Sequence, residues 1–187
     1  MKKSGLILII LVGSLLLTTN AWTQEWIAGD NVTLEVFSFA LIETNHAPIS
    51  LTLTTSTAGE IVAPSSNSDL FVKISSISSW SMTRRITAQI SNGLVPNGTI
   101  LTLQSAPSTT TNSGGNLGSP VATPIILSGN DQILVNQIGT CYTGTGINDG
   151  YQMTFTWAPD VSTNYSLIET ITTSVTIVFT LSSQWWY

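Results

Sequence analysis

Residues Ile171–Leu181, with the sequence ITTSVTIVFTL, alternate between two kinds of side chain. The odd positions are mainly large and apolar, whereas the even positions are mainly hydroxyl-bearing. The odd set is Ile171, Thr173, Val175, Ile177, Phe179 and Leu181, and the even set is Thr172, Ser174, Thr176, Val178 and Thr180. Because successive side chains of a β-strand point to opposite faces, this pattern predicts a half-buried antiparallel strand with its odd positions inward.

The same period of two recurs along most of the chain, in stretches rich in β-branched residues that fit a pleated surface. The predicted strands are 32–36, 49–53, 69–74, 86–90, 99–104, 125–127, 132–138 and 151–157. Between them lie turn sequences such as Asn92-Gly93 and Asn97-Gly98. No window beyond the first residues has helical spacing. About eight to ten short strands in one chain predict an all-β, antiparallel β-sandwich.

The first 21 residues have the three parts of a secretory signal peptide. Lys2 and Lys3 precede an apolar run from Leu6 to Leu17, and small residues precede a predicted cut after Ala21. The run is shorter than the roughly 20 residues of a membrane span. An alternative is a pilin-type leader cut after Gly5, which would keep the apolar run. We expect residues 1–21 to be removed and residues 22–187 to be one exported domain without a membrane span.

A long segment inside that domain lacks apolar content. Residues Ser105–Ser119 are mostly Ser, Thr, Gly and Asn, and only Ala106 and Leu117 interrupt them with apolar side chains. We expect a flexible loop between two strands of the same sandwich.

Composition excludes several functions. Charged residues make up 8% of the chain, against about 25% in a typical soluble protein, whereas 24 Ser and 28 Thr are present. Removing the leader leaves three positive charges (five minus Lys2 and Lys3) against ten negative ones, a formal net charge of −7. Phosphate-backbone binding needs clustered Lys and Arg, so we expect no nucleic-acid partner.

The residue types needed for catalysis, cofactor binding or metal binding are sparse. The chain has one His, His46, and one Cys, Cys141, so a metal site would lack nitrogen and sulfur ligands and no disulfide can form within the chain. Asn148-Asp149-Gly150 and Asn130-Asp131 each bring one carboxylate, which favours turns over calcium loops. We therefore predict no catalytic residue, no cofactor and no metal, and hence no enzyme.

Two groups of residues are candidates for contact with a partner or a sugar. Trp185-Trp186-Tyr187 follows the last predicted strand, and three adjacent aromatic side chains cannot all point inward. Packing on their own sandwich is the alternative for these aromatics. Arg84 and Arg85 begin another predicted strand, where they either contact an acidic partner or protect an apolar strand from aggregation.

Several stretches resemble a group of known proteins: Trp80-Ser81-Met82 with the strand after it, Val95–Gly98, Tyr151–Phe155, Tyr165–Leu167 and Thr176–Leu181. Together, over residues 30–183, they resemble small secreted immunoglobulin-like β-sandwich proteins of Bacteroidota-type bacteria that accompany surface or fimbria-like systems. The resemblance implies an immunoglobulin-like sandwich with a structural role at the cell surface and no catalytic residues.

Chaperone–usher pilin subunits are a second group that the chain resembles, since they are also immunoglobulin-like, rich in Thr and Ser, and acidic. Those subunits often carry a disulfide and donate an N-terminal strand to the next subunit. The single Cys141 departs from that pattern. Residues Val32–Phe39 could serve as such a strand, or equally as the first strand of the chain's own sandwich.

The sequence thus leads to a secreted structural or adhesive cell-surface protein, a subunit of an extracellular fibre or pilus-like assembly. Its expected partners are further copies of itself or other surface proteins. The alternative is a non-catalytic carbohydrate-binding module, in which exposed Trp and Tyr stack on the sugar rings of a polysaccharide.

Overall fold

The chain forms β-strands at most of the stretches whose side chains alternate. A computed structural model describes residues 31–79, 81–108, 111–161 and 164–185. Within these residues the strands are β1 (Phe39–Thr44), β2 (Ser65–Ile77), β3 (Met82–Asn92), β4 (Thr99–Ser105), β5 (Gly114–Gly115), β6 (Ser119–Pro120), β7 (Ile125–Ile126), β8 (Gln132–Ile138), β9 (Cys141–Tyr142), β10 (Tyr151–Pro159) and β11 (Thr176–Trp185). A short 3-10 turn covers Tyr165–Leu167. In the described part of the chain, no helix has the length and apolar character to cross a membrane. The predicted leader, residues 1–21, lies outside the described residues.

The strands form two antiparallel sheets, which confirms the predicted all-β sandwich. The larger sheet has the order β5-β9-β2-β10-β4-β7, with β1 as an additional strand that pairs with β2, and the smaller has the order β11-β3-β8-β6. Both belong to the compact unit Val36–Tyr187. Of the other unit, Met1–Glu35, the structure describes residues 31–35, which are exposed and in no strand. The immunoglobulin-like variety of sandwich stays a prediction.

The core lies between the inward faces of the two sheets. Along β10 the side chains of Tyr151, Met153 and Phe155 are buried, while the hydroxyl and amide side chains between them are half-buried. The other buried core side chains are Leu70, Val72, Ile74, Ile86, Ala88, Leu101, Leu103, Leu127, Leu134, Val135, Ile138 and Cys141. Burial of apolar side chains from both sheets is what holds the sandwich together.

Strand β8 has the predicted bounds, and β4 and β10 begin at the predicted residues, Thr99 and Tyr151. The stretch Ile171–Leu181 is only partly a strand. Its predicted alternation holds from Val175 to Leu181, where the odd positions are less exposed than the even ones. The predicted start at Ile171 is wrong, because β11 begins at Thr176. Thr176 lies opposite Asn92, the last residue of β3, so residues before it have no strand to pair with.

The first predicted strand, 32–36, is also wrong, because these residues lie beyond the end of the strand that β1 pairs with. These residues are exposed and outside any strand, and β1 begins at Phe39, opposite Ile77, where β2 ends. Of Val32–Phe39, only Phe39 belongs to a strand of the sandwich. The predicted strand 49–53 is also absent, although Ile49, Leu51 and Leu53 remain less exposed than the residues between them. Near it, the structure has a single bridge between Thr54 and Ala63.

The predicted loop 105–119 contains strand β5 and the first residue of β6. Gly114 and Gly115 pair with β9, and Asn116 exchanges backbone hydrogen bonds with Thr140 and Gly139, at 3.0 and 2.9 Å. The second half of this segment is therefore attached to the larger sheet through β5 and to the smaller sheet through Ser119 of β6. Residues 109 and 110 lie outside the described part.

Candidate functional site

The guanidinium of Arg84 lies at the end of the sandwich where β1 begins and β11 ends. Arg84 is on β3 and its side chain is 7% exposed. Nε donates to Ser76 Oγ at 3.1 Å and Nη1 donates to Ser183 Oγ at 2.9 Å. Nη2 donates to Ser38 Oγ at 3.0 Å, to Phe39 O at 3.2 Å and to Ile77 O at 3.3 Å. One side chain thus joins β1 and β2 of the larger sheet to β3 and β11 of the smaller one.

All of these acceptors are neutral. Within the described residues the one ion pair is Lys73 with Glu43, at 3.6 Å, and it does not involve Arg84. A buried cation needs hydrogen bonds to compensate for lost hydration, and five acceptors supply them here. The guanidinium is therefore occupied within the fold and offers an acidic partner little surface.

Arg85, the other predicted basic contact, differs from Arg84 in its surroundings. It is half-buried, and its Nε donates to Ser182 Oγ on β11 at a long 3.4 Å. Because residues 84 and 85 point to opposite faces of β3, Arg85 belongs to the outer face of the smaller sheet. The structure thus separates two neighbours that the sequence analysis treated as a pair, and Arg85 is the one with surface left to contact a partner.

The aromatic tail is described only at its first residue. The backbone of Trp185 pairs with Met82 at the end of β11. The side chain of Trp185 and the residues Trp186 and Tyr187 lie outside the described part of the chain. Their role as partner or sugar contacts stays a prediction.

The residues considered for metal binding are apart from one another. In the described ranges, no three His, Cys, Asp or Glu side chains lie close enough together to hold a metal ion. His46 is exposed in a turn at a φ of 54°. Asp149 is buried, and its Oδ2 accepts hydrogen bonds from the Gly146 amide at 2.7 Å and from Asn112 Nδ2 at 3.3 Å. This carboxylate therefore organises its own turn.

Cys141 is a free thiol in the core, 5% exposed. Burial raises the pKa of its thiol from 9.0 to about 11, since the apolar surroundings disfavour the thiolate. Burial also raises the pKa of Tyr151 above its ordinary value, and the nearby Cys141 adds to the shift. The Tyr151 hydroxyl donates to Leu117 O in the segment before β6. Both groups are thus held neutral, which suits structural roles better than nucleophilic ones.

Several large apolar side chains that are close together in the sequence are exposed to solvent just before and within β1. Val32, Leu34, Val36 and Phe37 are each between 71% and 88% exposed, and Leu41 is also exposed. We name residues 32–37 the N-terminal segment. Its sequence alternates as a strand does, which fits either donation of this strand to a neighbouring subunit or the first strand of the chain's own sandwich. In the structure it joins neither sheet.

A second unpartnered feature is the outer edge of β11. This strand pairs with β3 along its whole length and, among the described strands, with no other. Sequence patterns located the strand but could not place it at an edge, because edge position depends on the order of strands in the sheet.

A cavity of about 470 Å³ opens beside the end of β3 and the residues that follow it. Ile90, Leu94, Val95 and Leu127 supply its apolar wall, and Ser128 supplies a hydroxyl. None of the described residues that line it carries a charge. No local sequence pattern predicts this cavity, because its wall combines residues from two distant parts of the chain.

Comparison of the chain with known proteins finds no matching protein-family model, no matching curated protein and no matching solved structure. The surfaces described above are therefore the basis for a functional assignment.

Proposed function

We propose that this chain is an exported, non-catalytic structural or adhesive protein of the cell surface, and that it acts as a subunit of an extracellular fibre or pilus-like assembly. The observation that supports this most directly is the N-terminal segment. Its alternating apolar side chains suit a strand, yet they are exposed and neither of the two described sheets includes them. An immunoglobulin-like sandwich exported through the predicted leader, residues 1–21, fits the same role.

Such a segment is costly to leave in water. Val32, Leu34 and Val36 share one face of an extended chain, and monomeric soluble proteins rarely expose contiguous apolar groups of this kind. Covering the three side chains is worth roughly 5 kcal/mol, which is at the low end of the ~4–15 kcal/mol cost of association. The side chains alone would therefore give weak assembly, and backbone hydrogen bonds to the edge of a neighbouring sheet would strengthen it.

The test is the molar mass in solution of residues 22–187, measured by light scattering over a wide range of protein concentrations. We expect the molar mass to rise beyond that of a dimer as the concentration rises, and we expect Val32→Ser/Leu34→Ser/Val36→Ser to form no species larger than a dimer under the same conditions. Electron microscopy of the concentrated protein then shows whether the larger species are filaments.

A matched control separates this segment from exposed apolar residues in general. Leu34 is 88% exposed and Leu94, in the turn after β3, is 82% exposed. Leu34→Ser should weaken assembly, whereas Leu94→Ser should leave it unchanged. Equal effects of the two changes, or a monomer at every concentration, would contradict the proposal.

The carbohydrate-binding alternative predicts a different outcome. Tyr142 is an exposed aromatic side chain, and its ring lies against Gly114 of β5. A sugar-binding module would stay monomeric, and its intrinsic fluorescence would change on addition of a polysaccharide. If Tyr142→Ala abolished such a change, the polysaccharide would replace the second copy of the chain as the partner.

A further inference from the structure

The outer edge of β11 lacks the features that normally keep a strand edge from pairing with another molecule. Native sheets protect their edges with short strands, charged side chains, prolines or bulges. The ten residues of β11, TIVFTLSSQW, include no charged residue, no Pro and no Gly. Its one irregularity lies at the first step, between Thr176 and Ile177.

The other edges that the structure describes are protected. Strands β5, β6 and β7 have two residues each, and β6 ends in Pro120. Strand β1 carries Glu43, which is paired with Lys73 on the neighbouring strand. Strand β11 is therefore the exception among the described edges.

The side chains at this edge are also incompletely covered. Ile177, Phe179 and Leu181 face the core and pack against it, but each is only partly buried. On the opposite face Val178 is 39% exposed. A further strand laid beside β11 would cover both sets of side chains and would bond the outward backbone N–H and C=O groups.

The strand that fits this edge is a second copy of β11. The chain as a whole is acidic, with a net charge of −5, so the overall charge opposes the association of two copies. Two β11 edges meet without charge on either strand. An antiparallel pair of identical strands is related by a twofold axis, the commonest symmetry of homo-oligomers. We propose that two copies of this chain associate through their β11 edges and join their smaller sheets into one continuous sheet.

The register of this pair follows from the pattern of faces. Core-facing residues of one copy must lie opposite core-facing residues of the other for the joined sheet to keep one inner face. Centring the twofold axis on Phe179 places Ile177 opposite Leu181 of the second copy, so that the partly buried apolar side chains meet. Val178 then lies opposite Thr180 of the second copy on the outer face.

This register also keeps the nearest positive charges apart. Arg85 pairs with Ser182, and Ser182 would lie opposite Thr176 of the second copy, whose own neighbour on β3 is Asn92. The inference goes beyond the proposed function, because a twofold pair closes on itself and forms whether or not a fibre is built.

Disulfide trapping tests both the contact and its register. In a Cys141→Ala background, Val178→Cys/Thr180→Cys places thiols of the two copies opposite each other on the outer face. Mild oxidation should convert this protein to a covalent dimer. Thr176→Cys/Val178→Cys has the same spacing but the wrong register, and it should yield little dimer. Dimer from the second variant alone, or from neither, would overturn the proposal.

A charge variant tests the same edge without cysteines. Thr180→Lys adds a cation to an exposed outward position, and by bringing like charges together in the pair it should weaken dimerisation by more than about tenfold. Thr57→Lys, in an exposed turn, is the matched control and should have no effect. Far-ultraviolet circular dichroism shows whether both variants are folded.

The two proposals fail in different ways. Val32→Ser/Leu34→Ser/Val36→Ser should leave the β11 dimer unchanged, since it alters a different surface. If Thr180→Lys leaves the molar mass unchanged while the N-terminal variant abolishes assembly, the β11 contact is wrong and the proposed function stands. If Thr180→Lys disrupts association and the N-terminal variant does not, the β11 contact stands and the proposed function is wrong.

Discussion

Arg84 Nη1 on β3 donates a 2.9 Å hydrogen bond to Ser183 Oγ on β11, although the two residues are 99 positions apart in the chain. The same guanidinium bonds Ser38 and Phe39 at the start of β1. It therefore joins the first and last strands of the fold at one end of the sandwich, through neutral acceptors.

Arg84→Lys should destabilise the fold by about 2 kcal/mol. A lysine ammonium is a point charge with three donors, and it cannot reach all five acceptors, which come from β1, the residue before β1, β2 and β11. The matched control is Arg85→Lys, which changes a half-buried neighbour with one long hydrogen bond and should cost no more than about 0.5 kcal/mol. The free energy of unfolding in urea measures both. Equal values for the two variants would show that the Arg84 hydrogen bonds contribute little.

Tyr151→Phe should lower the free energy of unfolding by about 1–2 kcal/mol, because it leaves the partly buried carbonyl of Leu117 without its hydroxyl donor. Tyr142→Phe removes the same atom from an exposed ring and should be neutral. Thermal unfolding of the two variants beside the unmodified protein gives the comparison. A loss of stability in Tyr142→Phe as large as in Tyr151→Phe would contradict this explanation.

Gly93→Ala should be strongly destabilising. Gly93 follows β3 at a φ of +83°, and a Cβ there would lie 2.3 Å from Ser174 O, just before β11. Strained backbone and the clash together should cost about 2 kcal/mol or more. Gly129→Ala meets open space at an ordinary φ and should be neutral or slightly stabilising. A lower urea midpoint for Gly129→Ala, with an unchanged midpoint for Gly93→Ala, would contradict this prediction.

Alkaline pH should weaken the fold partly through Cys141. Its pKa is raised from 9.0 to about 11 by burial, so the fold favours the neutral thiol. The stability that this provides is complete below pH 9 and is lost as the pH rises from about 9 to about 11, and it amounts to about 3 kcal/mol. Tyr151, whose pKa is also raised, adds a loss of the same sign at higher pH.

Cys141→Ala isolates the contribution of the thiol to the loss of stability at alkaline pH. The variant should lose less stability than the unmodified chain between pH 8 and pH 11, whatever its stability at neutral pH. Urea unfolding at a series of pH values measures the difference. Parallel curves for the two proteins would mean that the Cys141 thiol titrates normally in the fold.

Periodicity predicted the sandwich and most of its strands because burial on one face is a local property of the sequence. It predicted β8 from Gln132 to Ile138 with its observed bounds. The residue at which a strand begins depends on where its partner strand ends, which is not a local property of the sequence. Ile171–Val175 and Val32–Val36 alternate well, yet β3 ends at Asn92 and β2 ends at Ile77, so neither stretch has a partner.

The candidate surfaces divide in the same way. The sequence identified the apolar residues 32–37 and the strand that became β11, since both are patterns in neighbouring residues. It could not show that Arg84 is held by Ser38, Ser76 and Ser183, because those acceptors come from three distant parts of the chain. Nor could it show that β11 is an edge, which depends on the order of all four strands in its sheet.

The Arg84 contacts determine how the domain would respond to mechanical tension. Ser38 and Ser183, where the chain enters β1 and leaves β11, are bonded to one guanidinium and so lie at the same end of the sandwich. Force applied through these two points peels β1 from β2 and β11 from β3 one hydrogen bond at a time, and the Arg84 contacts carry the load first. Because the hydrogen bonds break one after another, a chain pulled in this geometry should open at low force. It should then extend before the rest of the sandwich bears the load.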